Sequence, residues 1–501
     1  MTKLTYSLAM CTRPQEIYLT QQVRELDRIA IEEFKVASFS LMKRAGVAAF
    51  KVIQQDWPMA EHLLVLVGTG NNGGDGYIIA NLAWLANKQV TVIQVGDHSK
   101  LMGDAKKAYD EYIENGGVCS IFDAQSLPSC DLIVDALLGS GLARPVKGEF
   151  EAVIRLINEH AAPVLSADIP SGLDANRGIP LGIAVIANVT VTFVGMKLGL
   201  VIGTGRNYSG KVIFNNLQIP SEVYALMSAT CHNIKLAELH SLLGKRNADA
   251  HKGDFGHVLV IGGNAGMAGS VMLAAEAAAR TGCGLVSVAT ISQHAGAALA
   301  TCREMMVAGV EDVRDLDPLL KRATVVAVGP GLGQNQWAKN LFARIIEFDL
   351  PMVVDADALN LLAKDPLQKP SWVLTPHSGE AARLLKITTH EIQQQRLESA
   401  QAIQQQYGGV CVLKGSGTLV ASPDQISICT AGNPGMASGG MGDVLTGIIA
   451  GLLAQGLALN DAARFGVQLH AQSADLAAQD GMRGMLASDL FSPLRKLVNA
   501  S

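Results

Sequence analysis

The chain has 501 residues, more than one hydrophobic core usually organises, so two domains are expected. With 49% apolar and 17% charged residues it is a dense globular chain, and a net charge of −5 without any Lys/Arg block leaves nucleic acid and acidic membrane as poor partners. The eight cysteines (Cys11, Cys119, Cys130, Cys231, Cys283, Cys302, Cys411, Cys429) contain no C-x-x-C pair, which argues against a disulfide frame or zinc site and for reduced thiols in a cytoplasmic protein.

The N-terminal twenty residues lack a long apolar run, so no signal peptide is expected. Residues 20–53 read as helices, the first placing Val23, Leu26, Ile29 (or Ala30) and Phe34 on one face. Leu63 to Val67 is a continuous apolar run, as expected of a strand buried on both sides. A glycine-rich turn, Gly68 to Gly76, follows, then a helix from Tyr77 and a strand from Val90 to Val95, making a βαβ unit. Gly68, Gly70 and Gly73 fit G-x-G-x-x-G, whose literal reading is a dinucleotide turn, with Asp97 placed as a ribose ligand would be. Asn71, Asn72 and Asp75 fit that reading poorly. They bring oxygens that suit a cation or polar ligand, although Asn and Asp also form turns for their own sake. Asp135 and Asp168 close the next two apolar strands. Acidic turns along one rim of a parallel sheet are costly unless a metal or substrate meets them.

Together, NNGGDG, DALLGSG and ADIPSGLDA, after LTQQVRELDRIAIEEF, resemble the NAD(P)H-hydrate epimerase family. The resemblance implies a potassium ion near Asn72, Asp135 and Ser171. It places a nicotinamide hydrate across Asn71, Asn72, Gly73, Gly74 and Asp75 and the loop Gly139, Ser140, Gly141, Leu142, Ala143, Arg144 and Pro145. It makes Asp168 the substrate-contacting acid/base. Arg144 and Lys147 are the basic residues near the loop, and the second proton-transfer group is left open.

The domain boundary is placed within residues 221–235, giving domains 1–225 and 226–501. A second glycine-punctuated βαβ pattern opens at Gly256, with a helix to about Thr281 and a strand from Gly284. Four motifs then end strands: Gly329 to Gly333, Asp355 to Asn360, Thr375 to Glu380, and Lys414 to Thr418. Each has a plainer reading, with His377 a satisfied histidine, Lys414 a rim lysine and Asp357 the cap of a helix begun at Ala358. Together they suit a polyphosphate, since lysine, hydroxyls and open backbone meet at strand ends. No P-loop signature is present. The stretch Gly432 to Asp443 then feeds an apolar helical pattern from Val444 to Leu453, too short and interrupted for a membrane span. Glycines and a helix start suit a phosphate, and Asp443 is either a cap or a base.

Gly440-Met441-Gly442-Asp443 resembles the G-x-G-D signature of the ribokinase-like fold. GNPGMASGGMGDVLTG with TPHSGE, DADALN and GPGLG is similar, more narrowly, to the ADP-dependent NAD(P)H-hydrate dehydratase family over residues 236–499. That resemblance implies Asp443 as the base, Gly333 and His377 as further hydrate contacts, and Lys414, Gly415, Ser416, Gly417, Thr418 and Gly442 around the nucleotide. Mg2+ would accompany ADP, with Asp355 or Glu380 reaching it through water.

Both halves together resemble the bifunctional NAD(P)H-hydrate repair enzymes. The implied fold class is α/β: an N-terminal Rossmann-like three-layer domain with a parallel sheet, followed by a C-terminal ribokinase-like α/β domain. The implied function is repair of hydrated nicotinamide cofactors. The first domain interconverts R and S hydrates; the second dehydrates the S epimer at the expense of ADP, giving AMP and phosphate. A cytoplasmic homo-oligomer is expected. The alternatives are a ribokinase-like vitamin or alcohol kinase fused to a non-catalytic ligand-binding domain, and a hydride-transferring dehydrogenase resting on the Gly68–Gly73 pattern alone.

Overall fold

The computed structural model describes residues 15–123 and 125–499; Cys11 and the rest of the N-terminal segment read above lie outside the described residues. The other seven cysteines are free thiols. Among the described residues no helix is long and apolar enough to cross a membrane. The chain divides into two compact units at Asn233/Ile234.

In the first unit seven strands run parallel: β1 (His62–Val67), β2 (Gln89–Gln94), β3 (Cys119–Ile121), β4 (Leu132–Ala136), β5 (Val164–Ala167), β6 (Val189–Phe193) and β7 (Lys211–Asn215). Their order is β3-β2-β1-β4-β5-β6-β7, each pair parallel. Along β1, Leu63, Val65 and Val67 belong to one apolar core and Leu64 and Leu66 to another, so both faces are covered. Helices Thr20–Glu32, Ser38–Asp56 and Asn71–Leu85 cover one face, and Glu149–Glu159 covers the other. This three-layer arrangement explains the unbroken apolar runs. The strand order reverses between β1 and β4, where a doubly wound sheet opens its ligand crevice.

Three local expectations are corrected. The helix after β1 starts at Asn71, not Tyr77. NNGGDG is its first turns, packed so close to the sheet that a Cβ on Gly73 would lie 2.0 Å from the Gly68 carbonyl. The first helix ends at Glu32, because Lys35 turns left-handed at φ 56, and Phe34 is left exposed. Asp97 accepts from Ser99 N (3.0 Å) and Ser99 Oγ (2.7 Å), which makes it the cap of a short turn on the surface.

The second unit holds β8 (His257–Ile261), β9 (Leu285–Thr290), β10 (Met306–Gly309), β11 (Val325–Val328), β12 (Met352–Val354), β13 (Trp372–Leu374), β14 (Val410–Leu413), β15 (Thr418–Ala421) and β16 (Ile426–Cys429). Their order is β10-β9-β8-β11-β12-β13-β14-β15-β16. The first seven are parallel, and β15 and β16 add an antiparallel hairpin. The reversal lies between β8 and β11. Helix Met441–Ala454 packs tightly on helix Ala268–Thr281, and a Cβ on Gly447 would lie 2.0 Å from the Ala274 carbonyl. The helix after β12 starts at Ala356 with Asp355 as its N-cap residue, so Asp357 is not the cap.

Candidate active sites

A cleft of about 770 Å3 opens at the β1/β4 reversal of the first unit. Asn71, Asn72, Asp75, Gly139 to Arg144 and Asp168 line it. Gly73 and Gly74 are buried in the packed start of their helix, while Pro145 and Lys147 fall outside the lining. Asp168 holds a left-handed backbone at φ 65, a costly conformation for a side-chain-bearing residue. Its N–H donates to Val191 O at 2.8 Å, which ties the turn to β6.

Lys197 meets Asp168. It is 1% exposed, forms a close ion pair with the carboxylate, and donates to Phe193 O (2.9 Å) and Thr192 Oγ1 (3.1 Å). The sequence reading missed it. The available signal was a lone lysine inside the apolar run Val189 to Ile202. Asp27, from helix Thr20–Glu32, also lines the cleft and was also missed. Burial pushes its pKa up to about 6, with Lys197 opposing and Asp168 adding to the rise. Burial also raises Asp75 well above the usual carboxylate range, reinforced by Asp168 and Asp27 and opposed by Lys197.

Beneath the cleft Asp135 is fully buried. It accepts from Ser166 Oγ (2.8 Å), Ser171 N (2.9 Å), Ser171 Oγ (2.5 Å) and Leu137 N (3.3 Å). Burial still raises its pKa against those bonds. Asn72, 8% exposed, has both amide atoms buried without a partner. An orphaned amide oxygen and a buried carboxyl are each the kind of oxygen that a hard monovalent cation takes.

In the second unit the four strand-end motifs and the helix start at Met441 converge. Lys414 Nζ lies 2.8 Å from Asp355 Oδ1 and 4.0 Å from Glu380 Oε2. Thr446 Oγ1 donates to Asp355 Oδ2 at 2.8 Å. Burial opposes the charge on Lys414, but Asp355, Glu380 and Asp443 outweigh it and raise its pKa. Glu380 is pushed up to about 7 by burial, against the pull of Lys414. Asp443 is likewise pushed up to about 7 by burial and by Asp355, while a hydrogen bond from Ser270 and the charge of Lys414 oppose the rise. Asp443 sits in the first turn of helix Met441–Ala454, whose cap residue Gly440 is left-handed at φ 88. Gly442 lies beside Lys414, whose Nζ would be 3.2 Å from an added Cβ.

His377 caps helix Ser378–Leu385 as an acceptor: its Nδ1 takes Gly379 N at 2.9 Å and Glu380 N at 3.3 Å. Burial, then Lys414 and Arg383, lower its pKa. Gly333 N donates to Asp357 Oδ2 at 2.9 Å, which fixes the Gly329–Gly333 turn. The Gly415–Thr418 loop closes on itself through Thr418 Oγ1 and Gly415 O (3.0 Å), with Ser416 exposed. Buried Arg396, not foreseen, donates from below to the carbonyls of Leu413 and Lys414, both at 3.3 Å. Thr446 and Ser270 were not foreseen either. Among the described residues no group of three or more His, Cys, Asp or Glu could hold a metal by itself.

This geometry can be set beside known proteins. Residues 258–496 match the family model described as NAD(P)H-hydrate dehydratase, and residues 38–199 match the model described as YjeF-related protein N-terminus. A bifunctional NAD(P)H-hydrate repair enzyme of Coxiella burnetii is 46% identical over 96% of this chain and 99% of its own length. The chain belongs to the bifunctional NAD(P)H-hydrate repair enzyme family. An Escherichia coli member is 42% identical over 100% of this chain and 97% of its own. A ribokinase-like superfamily protein of Enterococcus faecalis covers 53% of this chain and 94% of its own, with 30% identity and a TM-score of 0.50. Family membership accounts for the order of the two sites along the chain.

Proposed function

We propose that this chain repairs hydrated nicotinamide cofactors in the cytoplasm, as a homo-oligomer with an epimerase domain over residues 1–225 and a dehydratase domain over residues 226–501. The observation that carries the reading is a half-buried carboxyl, Asp443, in the first turn of a helix beside the half-buried Lys414, with burial raising its pKa. A base of that kind takes a proton from a hydroxyl that is about to receive a phosphoryl group.

In the hydrate, the hydroxyl stands on the ring carbon next to nitrogen. Hydroxide leaves poorly and phosphate leaves well. Asp443 takes the hydroxyl proton as its oxygen attacks the β-phosphorus of ADP, and AMP departs with the electrons of the broken P–O bond. The ring nitrogen lone pair then expels phosphate, and loss of the neighbouring proton restores the double bond. The N–H groups around Gly440 to Gly442 stabilise the transferring phosphoryl group. Lys414 and the Gly415–Thr418 loop hold the nucleotide, and Gly333 and His377 hold the hydrate. Three carboxyls facing one lysine leave excess negative charge, which suits Mg2+ brought in with the phosphates. The ion supplies charge neutralisation on the nucleotide.

In the first domain Asp168 exchanges the proton during epimerisation, within the cradle of Asn71, Asn72, Asp75 and the loop Gly139 to Arg144. Asn72, Asp135 and Ser171 are the residues that would hold K+, a reading supported by an amide oxygen without a partner and a buried carboxyl without an ion pair. Bound there, it supplies positive charge under the substrate turn.

The test is incubation with mixed hydrate epimers, ADP and Mg2+, following each epimer. The S form should disappear with matching release of AMP, phosphate and reduced cofactor, and the R form should follow it. A stable phosphate ester would instead mark a kinase.

A further inference from the structure

Epimerisation at the hydroxyl-bearing carbon needs protons handled on both faces of the ring, and Asp168 serves only one. Three carboxyls line the first cleft, Asp27, Asp75 and Asp168, with one buried ammonium, Lys197. Lys197 is committed to Asp168 by a direct ion pair and to β6 by two further bonds. Asp27 and Asp75 accept no hydrogen bond from any described residue and pair with no cation there. They arrive from different helices, Thr20–Glu32 and Asn71–Leu85, on the side of the sheet face that those helices cover. Asn72 lines the same cleft with its amide unpartnered and over nine-tenths buried, so the polar groups here are set toward something not of this chain.

We infer that Asp27 and Asp75 together hold one proton and act as the general acid of the epimerase, opposite Asp168 as its base. This rests on the epimerase reading above and deepens it. Two carboxyls that line one partly dry cleft do not both ionise readily beside a third when the single lysine is already committed. The charges around them support this: burial raises both groups, each feels Lys197 and Asp168, and Tyr224 is raised in turn by Asp27. Arg24 and Arg144, the other charged groups in the lining, are both exposed, Arg24 on the same helix as Asp27 and Arg144 on the loop after Gly139.

The step balances with water alone. The acid pair gives its proton to the hydroxyl oxygen, the C–O bond breaks, and water leaves with the bonding pair. The ring nitrogen lone pair forms a C=N bond, giving a planar cation. A water on the opposite face adds its oxygen pair to the carbon while Asp168 takes its proton, and the C=N pair returns to nitrogen. Net, one proton has passed from the acid pair to Asp168, and the hydroxyl has changed face. The reverse reaction starts from the opposite protonation state.

The experiment measures R-to-S conversion by the full chain against pH for wild type, Asp27→Asn and Asp27→Glu, with dehydration of purified S hydrate as the check that each variant is folded. Wild type should lose rate as pH rises and the acid pair gives up its proton. Asp27→Asn should be at least about 100-fold slower, with that alkaline limb moved to lower pH, because Asp75 has lost its carboxyl neighbour. Asp27→Glu should recover most of the rate. An Asp27→Asn variant within a few-fold of wild type overturns the inference. So does a slow variant whose pH limb has not moved, since that marks a structural role. Wild type with no R-to-S conversion would instead overturn the epimerase reading itself.

Discussion

Asp355 and Lys414 form an ion pair in which the carboxylate is buried and the lysine half-buried: Nζ and Oδ1 stand 2.8 Å apart, with Asp355 1% exposed. The aspartate ends β12 and the lysine follows β14, with β13 between them, so the pair spans the sheet's carboxyl edge. Removing one partner strands the other. Lys414→Met should cost roughly 3–5 kcal/mol of stability by leaving a buried carboxylate unpaired, as well as dehydratase activity. The double variant Lys414→Met/Asp355→Asn should regain part of that stability but none of the activity. Denaturant unfolding of the four members of the cycle checks this.

Asp443 ties activity and stability to pH in opposite senses. As a base it works when deprotonated, so kcat/KM for the S hydrate should fall about tenfold per pH unit below the group's value of about 7. As a buried acid its folded pKa lies above its unfolded one. The stability it contributes is therefore full below the unfolded value and is lost as pH rises through about 7. Asp443→Asn should lower dehydration by roughly 10²–10⁴ while raising the unfolding free energy by a few kcal/mol at pH 8, with little gain at pH 4. A flat difference across pH would contradict the assignment.

Lys197 holds Asp168 at a strained turn. Lys197→Met should abolish R-to-S conversion and cost roughly 3–5 kcal/mol in the first domain, yet leave the S hydrate a substrate. Following both epimers in one reaction separates the effects: S consumed, R persisting. Equal loss of both activities would mean that the variant has simply unfolded.

On the proposed K+ assignment to Asn72, Asp135 and Ser171, replacing K+ by tetramethylammonium should slow epimerisation, because the bulky ion cannot take oxygen ligands as K+ does. Asp135→Asn should flatten the response to K+ concentration, since the buried charge that calls for the cation is gone. A rate indifferent to the cation in wild type would remove potassium from the site.

The legible parts of the sequence were those where chemistry sits at a strand end. Asp135, Asp168, Asp355 and Lys414 each close or follow an apolar run, and the sheet brings such ends together. The fold class and the two-family resemblance were legible for the same reason. Lys197 was not, because it follows a left-handed turn at Val194, φ 65, and reaches back to Asp168 from outside the central sheet. Asp27 was hidden by helical spacing: it adjoins the apolar face through Leu26 but points at a cleft built by residues far along the chain. The helix start at Asn71 was misplaced because glycines normally mark turns, and here they serve contact between helix and strand. Arg396 and Thr446 support their partners from beneath, and nothing local to either residue announces a contact so distant in sequence.

The hydrogen bond between Ser270 and Asp443 joins helices Ala268–Thr281 and Met441–Ala454, and the contact of Gly447 with the Ala274 carbonyl sets how near those helices stand. The proton affinity of the base is therefore calibrated by a core contact one turn away from it. A larger side chain at Gly447 would have to push the two helices apart, and with them Ser270 from Asp443, so a change in the hydrophobic interior would reach the base.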